Sequence, residues 1–259
     1  MTLTRKIVLR DAPPLAGTEI AVLIDGKATA ETDGFTFMIS RLALSNSSSH
    51  FTVEWGDGSA EVLEETATNL AHAYSRPGLY RIRISDDISS IRVSSNVDTI
   101  CFTTFAPMVR EFRSNAQAMT SIPRLGLRNA TNLKLVDLRG SAIRSLGNYA
   151  FQDCVSLRSL DGCSEISQLG TSVFAGCINL TGRVDFPRLE YITANDVESS
   201  PFLNTRIREF HFAAKNEEAI RSLSLFYDTG GNFGVEGAAS PRSSICKAHY
   251  FCRYNIISL

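Results

Sequence analysis

No stretch of this 259-residue chain approaches the roughly 20 consecutive apolar residues that would span a bilayer as a helix. No block of like charge stands out either. Against 27 acidic side chains stand 26 basic ones, a net charge of -1, which argues against a general nucleic-acid binder. Histidine is scarce, with only four residues, at positions 50, 72, 211 and 249, so there is no H-E-x-x-H helix, and G-x-S-x-G is missing as well. Cys101, Cys163, Cys246 and Cys252 show no C-x-x-C spacing and no paired histidines, and a structural zinc site is not expected. The glycines at 230, 231, 234 and 237 do not make G-x-G-x-x-G, so no phosphate cradle follows. Near the start, Arg5-Lys6 is followed by only Ile7-Val8-Leu9 before Arg10-Asp11, too short for the apolar stretch of a secretion signal. The expectation is therefore a signal trimmed away or another export route, such as a phage particle.

What the chain does have is a period. Leu146-Gly-Asn-Tyr-Ala-Phe151-Gln-Asp-Cys154-Val-Ser-Leu157 returns 23 residues later as Leu169-Gly-Thr-Ser-Val-Phe174-Ala-Gly-Cys177-Ile-Asn-Leu180. Four columns extend the register: Leu133, Leu157, Leu180 and Leu203; Ile122, Leu146, Leu169 and Ile192; Leu127, Phe151, Phe174 and Val197; Ala130, Cys154, Cys177 and Ser200. Val109 and Phe112 fall one step earlier, so an entry half-repeat begins near residue 97. A period of this length marks a solenoid, whose units bury their apolar sides only by stacking on one another. It is too short for paired helices and fits the leucine-rich class, with one strand and one tight turn per unit. The strands are expected at Val109 to Phe112, Leu133 to Leu138 and Leu157 to Leu160, stacked in parallel about 4.8 Å apart.

The pattern Leu-Gly-x-x-x-Phe-x-x-Cys-x-x-Leu resembles the repeat of BspA-like leucine-rich repeat proteins, most of which are bacterial surface proteins. The resemblance covers roughly residues 97 to 212. It implies adhesion or recognition, with no catalytic residues to carry over. Ala130 in the first unit and the loss of glycine and cysteine in the last depart from the motif, as end units facing water should.

Residues 1–95 have another texture. Phe51-Thr-Val53-Glu-Trp55 and Leu79-Tyr80-Arg-Ile82-Arg-Ile84 alternate as half-buried strands do. Between them, Gly56-Asp57-Gly58-Ser59 signals a turn. Lys6 to Leu9 and Glu19 to Ile24 are candidate edge strands. Trp55-Gly56-Asp57-Gly58-Ser59, His72-x-Tyr74 and Pro77-Gly78-x-Tyr80, in that order, resemble the PKD domain, which implies an immunoglobulin-like sandwich common in extracellular bacterial proteins. His72 then buttresses the sandwich through a hydrogen bond. Asp57 with Asp86 or Asp87 offers a calcium site, although a turn aspartate capping its own backbone is the commoner arrangement.

From residue 213 the chain changes again. Asn216-Glu217-Glu218-Ala-Ile220-Arg-Ser-Leu223 reads as a short helix, residues 230–234 as a loop and Ser244 to Phe251 as a strand covering the last repeat's edge. The fold expected is mainly β: an antiparallel β-sandwich over 1–95, a leucine-rich-repeat solenoid with parallel strands over 96–212, and a small α/β C-terminal cap over 213–259. Cys154 and Cys177, in a core column, read as buried thiols. Adjacent rungs also fit a disulfide's Cα range, so both readings stand.

Stacking the repeats gives two outward columns: Arg110, Lys134, Arg158 and Thr181, and three residues farther on Arg113, Asp137 and Asp161. A basic ladder beside a mostly acidic one suits a protein or glycan ligand spanning several repeats. The alternative is a solvated face whose charges neutralise one another. The reading is a non-enzymatic recognition or adhesion protein at the cell surface or outside it, without cofactor, metal, nucleic acid or membrane insertion. A structural component of a phage or prophage particle is the second reading.

Overall fold

The computed structural model describes residues 5–8, 17–28, 33–93, 105–193, 199–212 and 255–258. Within them the chain is almost entirely β, with two single-turn 3-10 segments, Ala106–Met108 and Cys163–Glu165. Eight strands come first: β1 (Arg5–Val8), β2 (Gly17–Ile24), β3 (Thr36–Leu44), β4 (Phe51–Glu54), β5 (Ser59–Leu63), β6 (Ala67–Ala73), β7 (Gly78–Ser85) and β8 (Ile88–Arg92). They pair antiparallel as β1-β5-β4-β7-β2 and as β6-β3-β8. The alternation read from the sequence is the reason: Phe51, Val53, Ile82 and Ile84 turn inward and are fully buried, while Phe37, Ile39 and Leu42 answer them from β3.

One polar cluster pins this part. Gly56 and Gly58 take φ of +82° and +91°, a region closed to most residues with a Cβ. They let Asp57 turn back, so that Oδ1 accepts from the Ser59 amide at 2.9 Å and the Ser59 hydroxyl at 2.5 Å. Oδ2 accepts from His72 Nε2 at 2.8 Å. A carboxylate only accepts, so Nε2 carries the proton. The His72 ring stacks on Trp55 with centroids 4.6 Å apart, and Tyr74 Oη donates to the Trp55 carbonyl at 3.0 Å. Burial works against the Asp57 charge, but the Ser59 and His72 hydrogen bonds outweigh it and hold the carboxyl below its ordinary pKa.

The repeats follow as β9 (Val109–Ser114), β10 (Ser121–Ile122), β11 (Leu135–Asp137), β12 (Ser145–Leu146), β13 (Ser159–Asp161), β14 (Gln168–Leu169), β15 (Thr181–Phe186), β16 (Tyr191–Ile192) and β17 (Arg206–Phe212), with β18 (Asn255–Ser258) near the end. Each coil carries two strand-bearing faces instead of the single strand expected. β9, β11 and β13 form one parallel ladder. β10, β12, β14 and β16 form another, in which Ile122, Leu146, Leu169 and Ile192 lie in register as the spacing predicts. A third side is held by backbone bonds that recur from coil to coil. The amides of Leu125, Leu127 and Asn129 donate to the carbonyls of Asn148, Ala150 and Gln152, and those of Tyr149, Phe151 and Asp153 to Thr171, Val173 and Ala175. Its corner needs a left-handed residue, supplied by Asn129, Asp153 and Gly176 at φ +61°, +59° and +76°.

The fourth copy departs from the arithmetic. Phe151 stacks on Phe174, and Phe174 stacks on Phe202, both with centroids 5.5 Å apart. The aromatic column is thus continued by Phe202 and not by Val197, which lies outside the described residues. The inserted residues also displace Ser200 and Leu203 from their columns: the Thr205 amide bonds the Phe202 carbonyl, as Cys177 bonds Phe174. A flat ring matches the face of another ring, which valine cannot do.

Cys154, Cys163 and Cys177 are buried free thiols. Cys154 Sγ donates to the Leu127 carbonyl at 3.3 Å and Cys177 Sγ to the Phe151 carbonyl at 3.2 Å. A small side chain with a weak donor fits a core position beside a backbone acceptor. Burial and the neighbouring thiol push the Cys154 pKa well up, keeping it protonated.

Neither the core nor the main sheet stops at the boundary expected near residue 95. β2 pairs antiparallel with β7 on one side and with β9 on the other, giving an eight-stranded sheet β1-β5-β4-β7-β2-β9-β11-β13. One buried cluster extends from Ile20 to Ile207. At the far end, β15 leaves this sheet and pairs with β17, which pairs with β18. The helix expected over 216–223, the loop over 230–234 and the strand over 244–251 lie outside the described residues.

Candidate binding face

The outer face of β9, β11 and β13 carries all six candidate residues. Arg113, Asp137 and Asp161 are Cα partners across the three strands. The amide of Lys134 bonds the carbonyl of Arg110 at 2.8 Å, and that of Arg158 bonds Lys134 at 3.0 Å, so these three stack as well. Both columns exist where the spacing puts them. Thr181 does not extend the first, because it opens β15 in the separate sheet.

Their environments differ. Arg110 turns toward its own backbone, donating to the Pro107 carbonyl at 2.6 Å, and burial lowers its pKa. Arg113 and Asp137 belong to a chain of alternating charges that crosses four strands. Arg83 meets Glu19 at 3.2 Å, Glu19 meets Arg81 at 2.7 Å, and Arg81 reaches Glu111 at 3.3 Å. Glu111 meets Arg113 at 3.2 Å, Arg113 approaches Asp137 at 3.5 Å, and Asp137 holds Arg139 at 2.6 Å. The last contact is a fork, with Arg139 Nε on Oδ1 and Nη2 on Oδ2. These hydrogen bonds hold the Asp137 carboxyl below its usual pKa although the residue is largely buried. Arg139 is raised in return, first by the same hydrogen bond.

Lys134 and Arg158 are exposed and form no ion pair among the described residues. Asp161 Oδ2 accepts from Ser159 Oγ at 3.0 Å. The face therefore has a self-neutralised end around Arg113 and Asp137 and an open end at Lys134, Arg158 and Asp161. At the neutralised end an open depression of about 260 Å³ is lined by Thr18, Glu19, Arg83, Arg113, Asp137 and Arg139.

Glu19, Arg81, Arg83, Glu111 and Arg139 were not among the residues singled out from sequence. Arg81 and Arg83 are the polar half of an alternation that was visible, yet their part in this face depends on β2 lying beside β9.

Among the described residues no three histidine, cysteine or acidic side chains are grouped to hold a metal ion, and no helix is long and apolar enough to cross a membrane. No curated protein and no solved structure matches the chain. A family model, the BspA type leucine rich repeat region, matches residues 83–195 and 114–229, together more than half of the sequence. That family is commonly associated with protein–protein binding or adhesion at surfaces and is generally non-enzymatic. With the stacked columns and the parallel ladders, this match makes the chain a member of the BspA-type leucine-rich repeat family.

Proposed function

We propose that the chain is a non-enzymatic recognition or adhesion protein, displayed at a cell surface or outside the cell, that takes a protein or glycan on the outer face of β9, β11 and β13. Residues 96–212 are its leucine-rich repeats. Residues 1–95 are a PKD-like sandwich that serves as spacer and end piece, and 213–259 cap the other end. The observation that carries the reading is the open end of the face. Lys134 and Arg158 project side by side from adjacent rungs, with Asp161 at the other end of the same short strand. Rungs about 4.8 Å apart present charges at a spacing that a ligand running across the coils can follow. Arg113 and Asp137 border this end, and Arg110 anchors the strand that precedes it.

The test is a glycan and host-protein array with the full chain, followed by Lys134→Ala, Arg158→Ala and Asp161→Ala. Each should weaken binding of a ligand so identified about tenfold, equal to about 1.4 kcal/mol. Unchanged affinity in all three folded variants would remove this face from the reading.

A further inference from the structure

A second charged surface lies away from that face, at the seam between the antiparallel strands and the first coil. β3 and β8 set Arg41 and Arg92 opposite each other as Cα partners, an arrangement in which like charges repel. Arg92 Nε donates to the Arg124 carbonyl at 3.1 Å, and the Val93 amide donates to the Gly126 carbonyl at 2.8 Å. The end of β8 is thereby tied to the corner at 123–128. From that corner Arg124 and Arg128 both lie over the ring of Tyr149, 5.7 and 5.9 Å from its centroid. Four guanidiniums are gathered around one seam.

Among the described residues neither Arg41 nor Arg92 has a carboxylate partner. This contrasts with Arg81, Arg83, Arg113 and Arg139, each answered by an acid. The chain does not lack acids, since they outnumber its bases. Burial, with the charges of Arg41 and Arg124 beside it, lowers the Arg92 pKa. A guanidinium nonetheless stays charged at any physiological pH, so protonation chemistry does not relieve the crowding. A bound anion would.

We infer that this seam binds a sulfated glycan, whose sulfates are taken by Arg41, Arg92 and Arg124. The planar fork of a guanidinium matches the paired oxygens of an oxyanion. A single-stranded nucleic acid would need open aromatic faces for its bases, and Tyr149 is already engaged by two guanidiniums. A duplex needs a broad basic field to hold its phosphates, and the net charge is -1. A compact anion with a few closely spaced charges fits better than either. The site stands on β3, β8 and the 123–128 corner and does not depend on the face of β9, β11 and β13.

The experiment is calorimetric titration of the full chain with heparin, with desulfated heparin and with a single-stranded oligonucleotide of similar charge. Heparin should bind with an affinity that falls steeply as salt rises from about 50 to about 200 mM, and desulfated heparin should not bind. Joint Arg41→Gln, Arg92→Gln and Arg124→Gln substitution should weaken heparin at least about tenfold, while Arg206→Gln, an exposed arginine of β17, should leave it within about twofold. Arg41→Glu places an acid opposite Arg92. It should cost heparin as much while leaving the melting temperature equal or higher, so it decides the matter even if the triple variant does not fold. Heparin binding retained by folded Arg41→Glu would overturn the inference. Equal binding of the oligonucleotide would do so too, as would loss of heparin in Lys134→Ala or Arg158→Ala alone.

Discussion

The antiparallel strands and the coils share one core but are secured by different means. In the first part each large side chain has its own fixing: Trp55 lies under His72, His72 is held by Asp57, and Tyr74 reaches back to the Trp55 carbonyl. In the coils one contact is repeated, ring on ring from Phe151 through Phe174 to Phe202, thiol on carbonyl, amide on the next coil's carbonyl. A set of unique fixings fails when one member is lost. A repeated contact fails at the rung where it is cut, and each neighbour feels the cut from one side.

The largest expected effect breaks the repeated contact. Phe174→Ala removes a fully buried ring stacked on both sides and should destabilise the protein by about 3–5 kcal/mol, read from urea unfolding. Hydrogen exchange should locate the loss in the coils and spare β4 and β7. Equal loss of protection in both parts would show that the shared core makes them one cooperative unit.

Asp57→Asn tests the other part. It should cost about 1–3 kcal/mol, because the buried His72 N–H loses its charged acceptor. Its pH dependence has a fixed sign. The Asp57 pKa is lower in the folded state than in the unfolded chain. Its contribution is therefore complete above the unfolded value of about 3.9 and is lost as pH falls through the folded value. Melting temperatures across this acid range should drop less steeply in Asp57→Asn than in the parent. Parallel curves would mean that Asp57 carries none of the acid sensitivity.

The smallest effect belongs to the surface joining the two parts. Arg113→Ala interrupts the chain of ion pairs between Glu111 and Asp137, yet both acids keep another arginine. The expected loss is about 0.2–1 kcal/mol, shrinking as salt is added. A loss unaffected by salt would point to packing of the arginine stem as the cause.

What was legible in the sequence follows the same division. Ile122, Leu146, Leu169 and Ile192 could be placed because a solenoid converts sequence spacing directly into vertical position. Phe202 could not, because an insertion resets the count and only the stacking of rings shows where it resumes. The second strand face was hidden for another reason: two-residue strands such as β12 and β14 are too short to leave an alternation. In the antiparallel part, alternation gave the inward and outward residues of β4 and β7. It held no information about which strands are neighbours, so the pairing of Thr18 with Ser114 went unforeseen. Arg113, Asp137 and Asp161 were found as a column, whereas Glu19 and Arg81, which neutralise one end of the face, required that pairing.

β2 runs against β9 and satisfies the edge that a parallel stack would otherwise leave bare at its beginning. Growth of the array is thereby closed on that side. Duplicated units can enter only beyond β9, widening the displayed surface without disturbing its foundation. Descendants of one ancestor are then expected to vary in rung number while keeping this junction, and a fragment beginning near Ala106 is expected to self-associate through the strand it has uncovered.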